Sequence, residues 1–558
     1  MKLATVAQMH AVDRYAIEEL NITGVTLMTK AAEHLAAAAL ELVKPGGCVT
    51  IFCGTGNNGG DGIGAAACLL EKGVPVRLFL IGDEDKLTPD AQEMAKRFYG
   101  LGGIIEQFML SFDLDNHLAD SAVIIDAIIG IGLTSDLRGE VLSAVSVINS
   151  SRALVISADI PTGVHADTGA ILGDAVKADI TVTFSLAKPG HFVEPGCIYS
   201  GKLRVRDIGI PKNVIDDIDS LMYAAMSDSI NLPRRRRDTH KGNYGRALII
   251  AGSIGYTGAP ALSARAATKM GAGLVSLGVP KSIYDIMAAK LDEEMPFPLP
   301  DNGKGRLIAN AASEILRHAA QSDVCLIGPG LGMSDDITEL VQSLTRIVET
   351  PVILDADGLN AIAGNIDILN QAVCPLILTP HPGEFERLRS GLSSGGTGAG
   401  MGAGAASGVG ARAGAGTGTG GGAGAGVNAG TGAGTGGGAG TNAPLDRLGA
   451  SREFATKYGC MLVLKGHRTI VALPNGTAYV NTTGGPAMAK GGSGDVLAGM
   501  IAALIAQKFP IVHAVAAAVY LHGLSGDMCA AEFGEYSVTA SDIINMLPKA
   551  IKTVVNVK

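Results

Sequence analysis

Tryptophan is absent from the chain, and aromatic residues of all kinds make up 4% of it. Cores without large rings have to be built from Ala, Val, Ile and Leu, which suits the tightly packed layers of an α/β protein. Cysteine spacing is equally uninformative. The eight cysteines are scattered, with no C-x-x-C pair and no His/Cys arrangement of ligand spacing. They read as small buried hydrophobes in a reducing compartment. Positive charge is not in excess: the formal net charge is −9, which argues against a general nucleic-acid binder. An anionic ligand would depend on local attraction from helix ends and lysines. Long hydrophobic runs are missing too. The most apolar stretch, from Val496 to Ala506, is too short to span a bilayer and is followed by Gln507 and Lys508. Asp13, Arg14, Glu18 and Glu19 stand where a signal peptide would need an apolar segment. A soluble cytoplasmic protein that touches neither nucleic acid nor membrane is expected.

What is present is a rhythm of short apolar runs and helical patterns, repeated in two halves. At 558 residues the chain is too long for one core. In the first half, 48–53, 76–81, 122–126, 153–159 and 180–184 read as buried strands, with helical patterns at 64–72 and 89–99. In the second half the strand candidates are 247–251, 273–279, 324–327, 351–354, 376–379 and 461–464. This βαβ order predicts two mostly parallel sheets covered by helices, with functional residues at the carboxyl ends of strands. The expected division is a first domain over 1–215, a linker over 216–240 and a second domain over 241–558. The Arg234–Arg237 run in the linker reads as a solvated segment. From Gly391 to Ala443 the chain is almost only Gly, Ala, Thr and Ser. Such a sequence cannot offset its ordering entropy and is expected as a flexible surface insert in the second domain.

The strongest chemical signal is Gly491-Gly-Ser-Gly-Asp495, which leads straight into an apolar helical stretch. Small residues let backbone N–H groups converge on an anion, and the helix that follows adds its positive end. A carboxylate at that mouth repels a phosphate unless it has a task. The expected task for Asp495 is to take a proton from a hydroxyl that attacks a terminal phosphate.

Other motifs close predicted strands. Cys53-Gly-Thr-Gly-Asn-Asn-Gly-Gly-Asp-Gly62 lacks the Lys-Ser/Thr of a nucleotide-hydrolysing P-loop and departs from G-x-G-x-x-G. Its Asn57, Asn58 and Asp61 favour phosphate or ribose binding over a bare turn. Asp126-Ala-Ile-Ile-Gly-Ile-Gly132 and Asp159-Ile-Pro-Thr-Gly163 end two more strands. Each Asp alone could be a cap or turn former. Together, Asn58, Asp126 and Thr162 offer only oxygen ligands, which suits a hard cation: K⁺, Na⁺ or Mg²⁺. In the second half, Pro260 fits a first helical turn, which puts Gly258 and Ala259 at a helix N-terminus. Gly328-Pro-Gly-Leu-Gly332, Asp355-Ala-Asp-Gly-Leu-Asn360 and Thr379-Pro-His-Pro-Gly-Glu384 end later strands. His381, between two prolines, is expected in a rigid extended loop that meets ligand. Lys465-Gly-His-Arg-Thr469 adds two cations that suit nucleotide phosphates.

Taken together, these residues resemble the bifunctional NAD(P)H-hydrate repair family, an NAD(P)HX epimerase fused to an ADP- or ATP-dependent (S)-NAD(P)HX dehydratase. The likeness rests on Gly54–Gly62, Asp126–Gly130, Asp159–Gly163 and Lys188-Pro-Gly190 in the first half. In the second it rests on Tyr256–Pro260, Gly328–Gly332, Leu378–Glu384 and Lys490–Asp495. It implies a Rossmann-like epimerase domain and a ribokinase-like dehydratase domain. It implies K⁺ at Asn58, Asp126 and Thr162; the last is Ser in many relatives, and either supplies a hydroxyl oxygen. Contacts to the hydrated cofactor are implied at Asn57, Asn58, Gly59, Gly60 and Asp61, at Gly130, Ile131, Gly132, Leu133, Thr134, Ser135 and Asp136, and at Asp159, the residue expected to do the acid/base work. In the dehydratase half the resemblance implies substrate contacts at Ala259, Gly332, His381 and Asp495. It implies nucleotide contacts at Lys465, Gly466, His467, Arg468, Thr469 and Gly494, with Mg²⁺ and with ADP favoured over ATP. The 391–443 insert is the clear departure. A homo-oligomer is expected. Two other readings compete: a ribokinase-like small-molecule kinase with an N-terminal dinucleotide-binding regulatory domain, and a binding module without chemistry. Pure binding gains nothing from Asp495 facing phosphate.

Overall fold

The computed structural model describes residues 1–109, 118, 121–391 and 446–555. The expected 391–443 insert lies outside the described residues except for Gly391, whose left-handed φ of 65° closes the Pro382–Ser390 helix.

Two sheets form the framework. The first has seven parallel strands: β1 (Cys48–Cys53), β2 (Val76–Leu80), β3 (Ile105–Gln107), β4 (Ser121–Ala127), β5 (Leu154–Ala158), β6 (Ile180–Phe184) and β7 (Lys202–Arg206), in the order β3-β2-β1-β4-β5-β6-β7. The second has ten strands: β8 (Met222–Ala225), β9 (Arg246–Ile250), β10 (Leu274–Pro280), β11 (Met295–Leu299), β12 (Val324–Ile327), β13 (Val352–Leu354), β14 (Leu376–Leu378), β15 (Met461–Leu464), β16 (Ile470–Ala472) and β17 (Ala478–Asn481). Their order is β11-β10-β9-β12-β13-β14-β15-β16-β17-β8, parallel except where β16 runs against β15 and β17. The strand order reverses at β1/β4 in one sheet and β9/β12 in the other. Those switch points open crevices at the strands' carboxyl ends, where ligands bind in open α/β sheets.

Side-chain alternation explains why both faces of each sheet carry helices. Val49, Ile51 and Cys53 belong to one buried cluster with the Gly24–Leu42 and Asn57–Glu71 helices, while Phe52 points to the other face, against the Gly139–Ser150 helix. In the second sheet Ala247 and Ile249 join one core, while Leu248 and Ile250 join the other. A continuous apolar strand is therefore buried twice over. These are the expected three-layer α/β domains, Rossmann-like and ribokinase-like.

Three features differ from the sequence expectation. The helix after β1 begins at Asn57 rather than near 64, so Asn57 to Gly62 form its first turns and only Gly54–Gly56 is loop. Glycine is a poor helix former, and burial of this segment under the sheet overrides its propensity. Within the expected 216–240 linker, β8 adds an edge strand to the second sheet beside β17. The chain's first residues continue that edge: Leu3 N donates to Met222 O at 2.9 Å, and Ala224 N donates to Met1 O at 2.9 Å. Of the Arg run, Arg235 stacks on Tyr244 at 3.7 Å and donates to Gly271 O and Gln507 Oε1. Finally, the 23-residue Ile511–Phe533 helix is long and apolar enough to cross a membrane by length and composition. His513, His522 and Asp527 had hidden it as a run, and 72% of its most apolar window is buried inside the protein.

The Gly258–Met270 and Ser493–Ala506 helices pack closely, and Gly499 makes that approach possible. A Cβ at 499 would lie 2.1 Å from Ser263 O. Gly499→Ala should therefore force the helices apart and cost about 1–3 kcal/mol, read as a lower urea midpoint. A variant as stable as its parent would mean that the pair separates freely.

Candidate functional sites

The first crevice is a cavity of about 590 Å³ lined by Gly54–Asn58, Asp61, Gly130–Gly132, Asp159 and Lys188, among others. Asp159 follows β5 directly and holds a left-handed φ of 62°, a strain that the surrounding bonds maintain. Its Oδ1 pairs with the Lys188 ammonium and accepts from Thr183 Oγ1 at 2.9 Å. Lys188 is 1% exposed. His191 Nε2–H donates to Asp159 O at 2.9 Å, and His191 Nδ1 accepts from Lys188 N at 3.0 Å. Burial and the Lys188 charge push His191 down to about 4, so it is neutral.

Three carboxyls, Asp13, Asp61 and Asp159, share this one ammonium. Burial raises the Asp159 carboxyl, but the Lys188 charge and hydrogen bond outweigh it and leave the group below the usual carboxylate range. Asp61 goes the other way: burial, then the Asp159 and Asp13 charges, push it well up. Asp13 is raised chiefly by burial. Neighbouring carboxyls driven apart in this way are a signature of acid/base chemistry.

Beside the cavity, Asp126 at the end of β4 is fully buried with no basic side chain on it. It accepts from Thr162 Oγ1 at 2.6 Å, Thr162 N at 2.9 Å and Ser157 Oγ at 2.8 Å. Burial raises its carboxyl despite these bonds. Thr162 Oγ1 also lies 3.2 Å from Ile129 O. Asn58 turns its Oδ1 toward Gly130, where a Cβ would sit 2.8 Å away, and its buried Nδ2 has no hydrogen-bond partner. An unneutralised buried carboxylate beside hydroxyl, amide and carbonyl oxygens is a donor set for a hard cation. Not every expected contact faces the cavity. Its wall ends at Gly132, and Leu133 turns into the core. Thr134, Ser135 and Asp136 lie outside the lining. Gly59 and Gly60 are buried in the helix, packed on Gly54 O and Met28.

In the second sheet the strand ends gather another charged cluster. Lys465, after β15, donates to Asp355 Oδ1 at 2.7 Å and stands 4.0 Å from Glu384 Oε2. Thr379 Oγ1 donates to the same Asp355 oxygen at 2.7 Å, and Gly332 N donates to Asp357 Oδ2 at 2.8 Å. Ala259 sits in the first turn of its helix, where a Cβ on Gly330 would lie 3.3 Å from its own Cβ. Gly492, at φ 94°, turns the chain into the Ser493–Ala506 helix, a conformation an L-residue would resist. The amides of Gly494 and Asp495 then lie in the first turn, which has no internal acceptors. Lys465 Nζ would lie 3.2 Å from a Cβ on Gly494. Burial first, then Asp355, pushes the Asp495 carboxyl up to about 7, against the pull of Lys465.

His381 is the N-cap of the Pro382–Ser390 helix rather than part of a free loop. Its Nδ1 accepts from Gly383 N at 3.0 Å and Glu384 N at 3.3 Å, while Glu384 Oε2 accepts from His381 N. Its other edge is half exposed, and burial lowers its pKa. Lys465, Gly466, His467, Thr469 and Gly494 line a second cavity of about 460 Å³. Arg468 lies outside that lining and donates to Thr482 O at 2.8 Å. Sequence reasoning missed His522, which lines the cavity from the Ile511–Phe533 helix; burial holds it at about 4 and its Nε2 has no hydrogen-bond partner. It also missed the grouping of Asp355, Glu384 and Lys465, which only the sheet brings together. Among the described residues no three His, Cys, Asp or Glu side chains form a metal cluster.

Comparison with known proteins agrees with this two-site layout. The family described as YjeF-related protein N-terminus matches residues 24–190. The family described as NAD(P)H-hydrate dehydratase matches 247–406 and 438–549, and breaks inside the glycine-rich insert. The chain is 36% identical over 554 residues to the bifunctional NAD(P)H-hydrate repair enzyme of Thermofilum pendens, covering 99% of this chain and 96% of that protein. It is 35% identical to the enzyme of the same description from Moorella thermoacetica, covering 99% and 97%. The second half is similar to a crystal structure of the ADP/ATP-dependent NAD(P)H-hydrate dehydratase of Bacillus subtilis co-crystallised with ATP and Mg²⁺, at 26% identity and a TM-score of 0.43, covering 60% of this chain and 98% of that one.

The raised Asp495 carboxyl has a consequence for stability. The folded chain keeps this proton after the unfolded chain has lost it. Ionising the folded group therefore costs stability as pH rises from 3.8 toward about 7. Asp495→Asn should raise the melting temperature above pH 7, and the gain should vanish below pH 4. A gain independent of pH would contradict the assignment.

Proposed function

The chain belongs to the family of bifunctional NAD(P)H-hydrate repair enzymes, and we propose that its two sites divide that repair: the first interconverts R- and S-NAD(P)HX, and the second dehydrates the S epimer to NAD(P)H with ADP or ATP as phosphoryl donor. The observation that carries the chemistry is Asp495, poised near neutrality in the first turn of a glycine-led helix and facing Lys465.

In the hydrate, a hydroxyl stands on the ring carbon next to the nitrogen, and hydroxide leaves poorly. Asp495 takes the hydroxyl proton as the oxygen attacks the terminal phosphate. The new O–P bond replaces the bond to the departing nucleotide, and the amides of the glycine turn and Lys465 stabilise the charge that develops. The ring nitrogen's electron pair then expels phosphate, and loss of a proton from the neighbouring ring carbon restores the double bond. Bound with the nucleotide beside the Asp355–Glu384–Asp495 carboxyls, Mg²⁺ would supply neutralisation of phosphate charge. Ala259, Gly332 and His381 would meet the substrate; Gly466, His467, Thr469 and Gly494 would meet the nucleotide.

Epimerisation can proceed by breaking the C–O bond: the ring nitrogen's electron pair expels the hydroxyl as it gains a proton, and water adds to the opposite face of the planar carbon as it loses one. Asp159, kept below the usual carboxylate range by Lys188, is suited to take that proton, and Asp61, pushed well up beside it, to give one. Asn57, Asn58 and Gly130–Gly132 would contact the cofactor. Asp126, Thr162 and Asn58 would hold K⁺, whose charge would offset the buried Asp126 carboxylate. A kinase would release a stable phosphorylated product, and its reading leaves the Asp159–Lys188 site without a task.

An R/S mixture of NADHX with Mg²⁺, K⁺ and either ADP or ATP, followed by absorbance of the reduced nicotinamide, tests both activities. Full nucleotide-dependent recovery is expected. Asp495→Asn should bind nucleotide but lose turnover by about 10²–10⁴-fold, and wild-type kcat/KM should rise with pH through about 7. Asp159→Asn should stop recovery once the S epimer is consumed. A stable phosphorylated product would instead support the kinase.

The cation site has its own readout. KCl should raise the melting temperature above that in choline chloride of equal ionic strength, as for any ligand of the folded state. Asp126→Asn should abolish the difference; an equal response in both proteins would remove K⁺ from these residues.

A further inference from the structure

Resting on the nucleotide reading above, one segment of the first half reaches the second site. It runs from Lys188 to Ile198. At its start Lys188 holds Asp159, and His191 bonds to the Asp159 backbone. Phe192 and Val193 are then buried in the same apolar cluster as Leu448 of the Arg447–Lys457 helix and Leu462, Leu464 and Ile470 of the second sheet. That anchoring fixes the next residues against the loop after β15. Glu194 Oε1 lies 3.0 Å from His467 Nδ1, and Glu194 Oε2 accepts from Arg447 Nη1 at 2.8 Å. Arg447 also donates to His467 O at 3.0 Å, which closes a triangle around the loop. Cys197 Sγ stands 4.0 Å from His467 Nδ1. Ile198, 65% exposed, forms part of the wall of the second cavity itself.

We infer that the nucleotide subsite is composite: the first domain supplies Ile198 as an apolar wall for a nucleoside diphosphate or triphosphate, and Glu194 as the positioning residue that sets His467 and the Lys465–Thr469 loop. Several observations support this. Glu194 is ionic and partly solvated, yet it spends both oxygens on residues 253 and 273 positions away in sequence. A large exposed aliphatic at a cavity rim gains by covering something flat and apolar, which a purine offers and a phosphate does not. Arg447 depends on this carboxylate: burial lowers its pKa, and the Glu194 charge is the largest influence opposing that. Without Glu194, the Arg447 guanidinium and the His467 ring would each lose the carboxylate oxygen that holds them against the loop. Phosphate contacts from Lys465 and the Gly494 amide come from the second domain alone, so the first domain's share falls on the nucleoside end.

The test uses the full chain and titrates ADP with Mg²⁺ by calorimetry, then measures the dehydration rate on S-NADHX. Glu194→Gln and Ile198→Ala should each weaken ADP binding and raise the nucleotide KM about five- to tenfold. The KM for S-NADHX and kcat should stay within twofold, a split that general loosening of the fold would not give. Inorganic phosphate competition should be equal in all three proteins, because neither residue meets phosphate. Ile198→Leu should restore binding, since it keeps the wall. Both variants binding ADP as tightly as the wild type would overturn the inference and leave the function standing. A wild-type chain that binds neither ADP nor ATP would overturn the function, and the inference with it.

Discussion

Each site contains more carboxyls than cations, and one lysine has to serve them all. Lys188 faces Asp13, Asp61 and Asp159; Lys465 faces Asp355, Glu384 and Asp495. In a dry crevice like charges cannot all persist, so a carboxyl that does not hold the ammonium is pushed up. Asp159 and Asp355 take the lysine; Asp61 and Asp495 are raised. This charge deficit leaves a raised carboxyl beside an ammonium in each sheet. It also bears on the proposed cation: Asp126 has hydrogen-bond donors but, among the described residues, no ammonium beside it to balance its charge.

The deficits are tolerable because the framework around them is closely packed. The central strands of both sheets are covered on both faces, and the first crevice opens where the order of its strands reverses. The two halves are also less separate than a linker between them suggests. β8 and the first residues of the chain complete the second sheet's edge, and Leu3, Ala187, Phe192 and Val193 lie in a core shared with the second half. Fusion of the two activities is thus structural as well as genetic, and the Lys188–Ile198 segment runs along the line where it occurs.

Much of the fold was legible because parallel strands buried on both faces are continuous apolar runs. Cys48–Cys53, Ile180–Phe184, Val324–Ile327 and Met461–Leu464 stand out for that reason and form strands with those bounds. The strands that escaped notice are at edges or in the antiparallel turn. Lys202–Arg206 carries three basic residues, Met295–Leu299 two prolines, and Ile470–Ala472 is three residues long. An edge strand needs only one apolar face, so its composition says little. The same limit hid the helix at Asn57–Gly62, whose glycines read as loop until the overlying sheet made small residues an advantage.

The sequence by itself determined the motifs, their order and the chemistry each could offer. Gly491–Asp495, Asp126, Thr162 and Asp159 are local statements, because a turn, a cap or a strand end is encoded within a few residues. Which carboxyl keeps its proton was decided only by the tertiary structure. Asp495 and Asp355 lie 140 positions apart in the chain, Asp159 and Asp61 98 apart, and nothing local records that they meet. A carboxyl's affinity for a proton depends on burial and on charges within a few ångströms, and both come into being only when strand ends distant in sequence are drawn to one edge of a sheet.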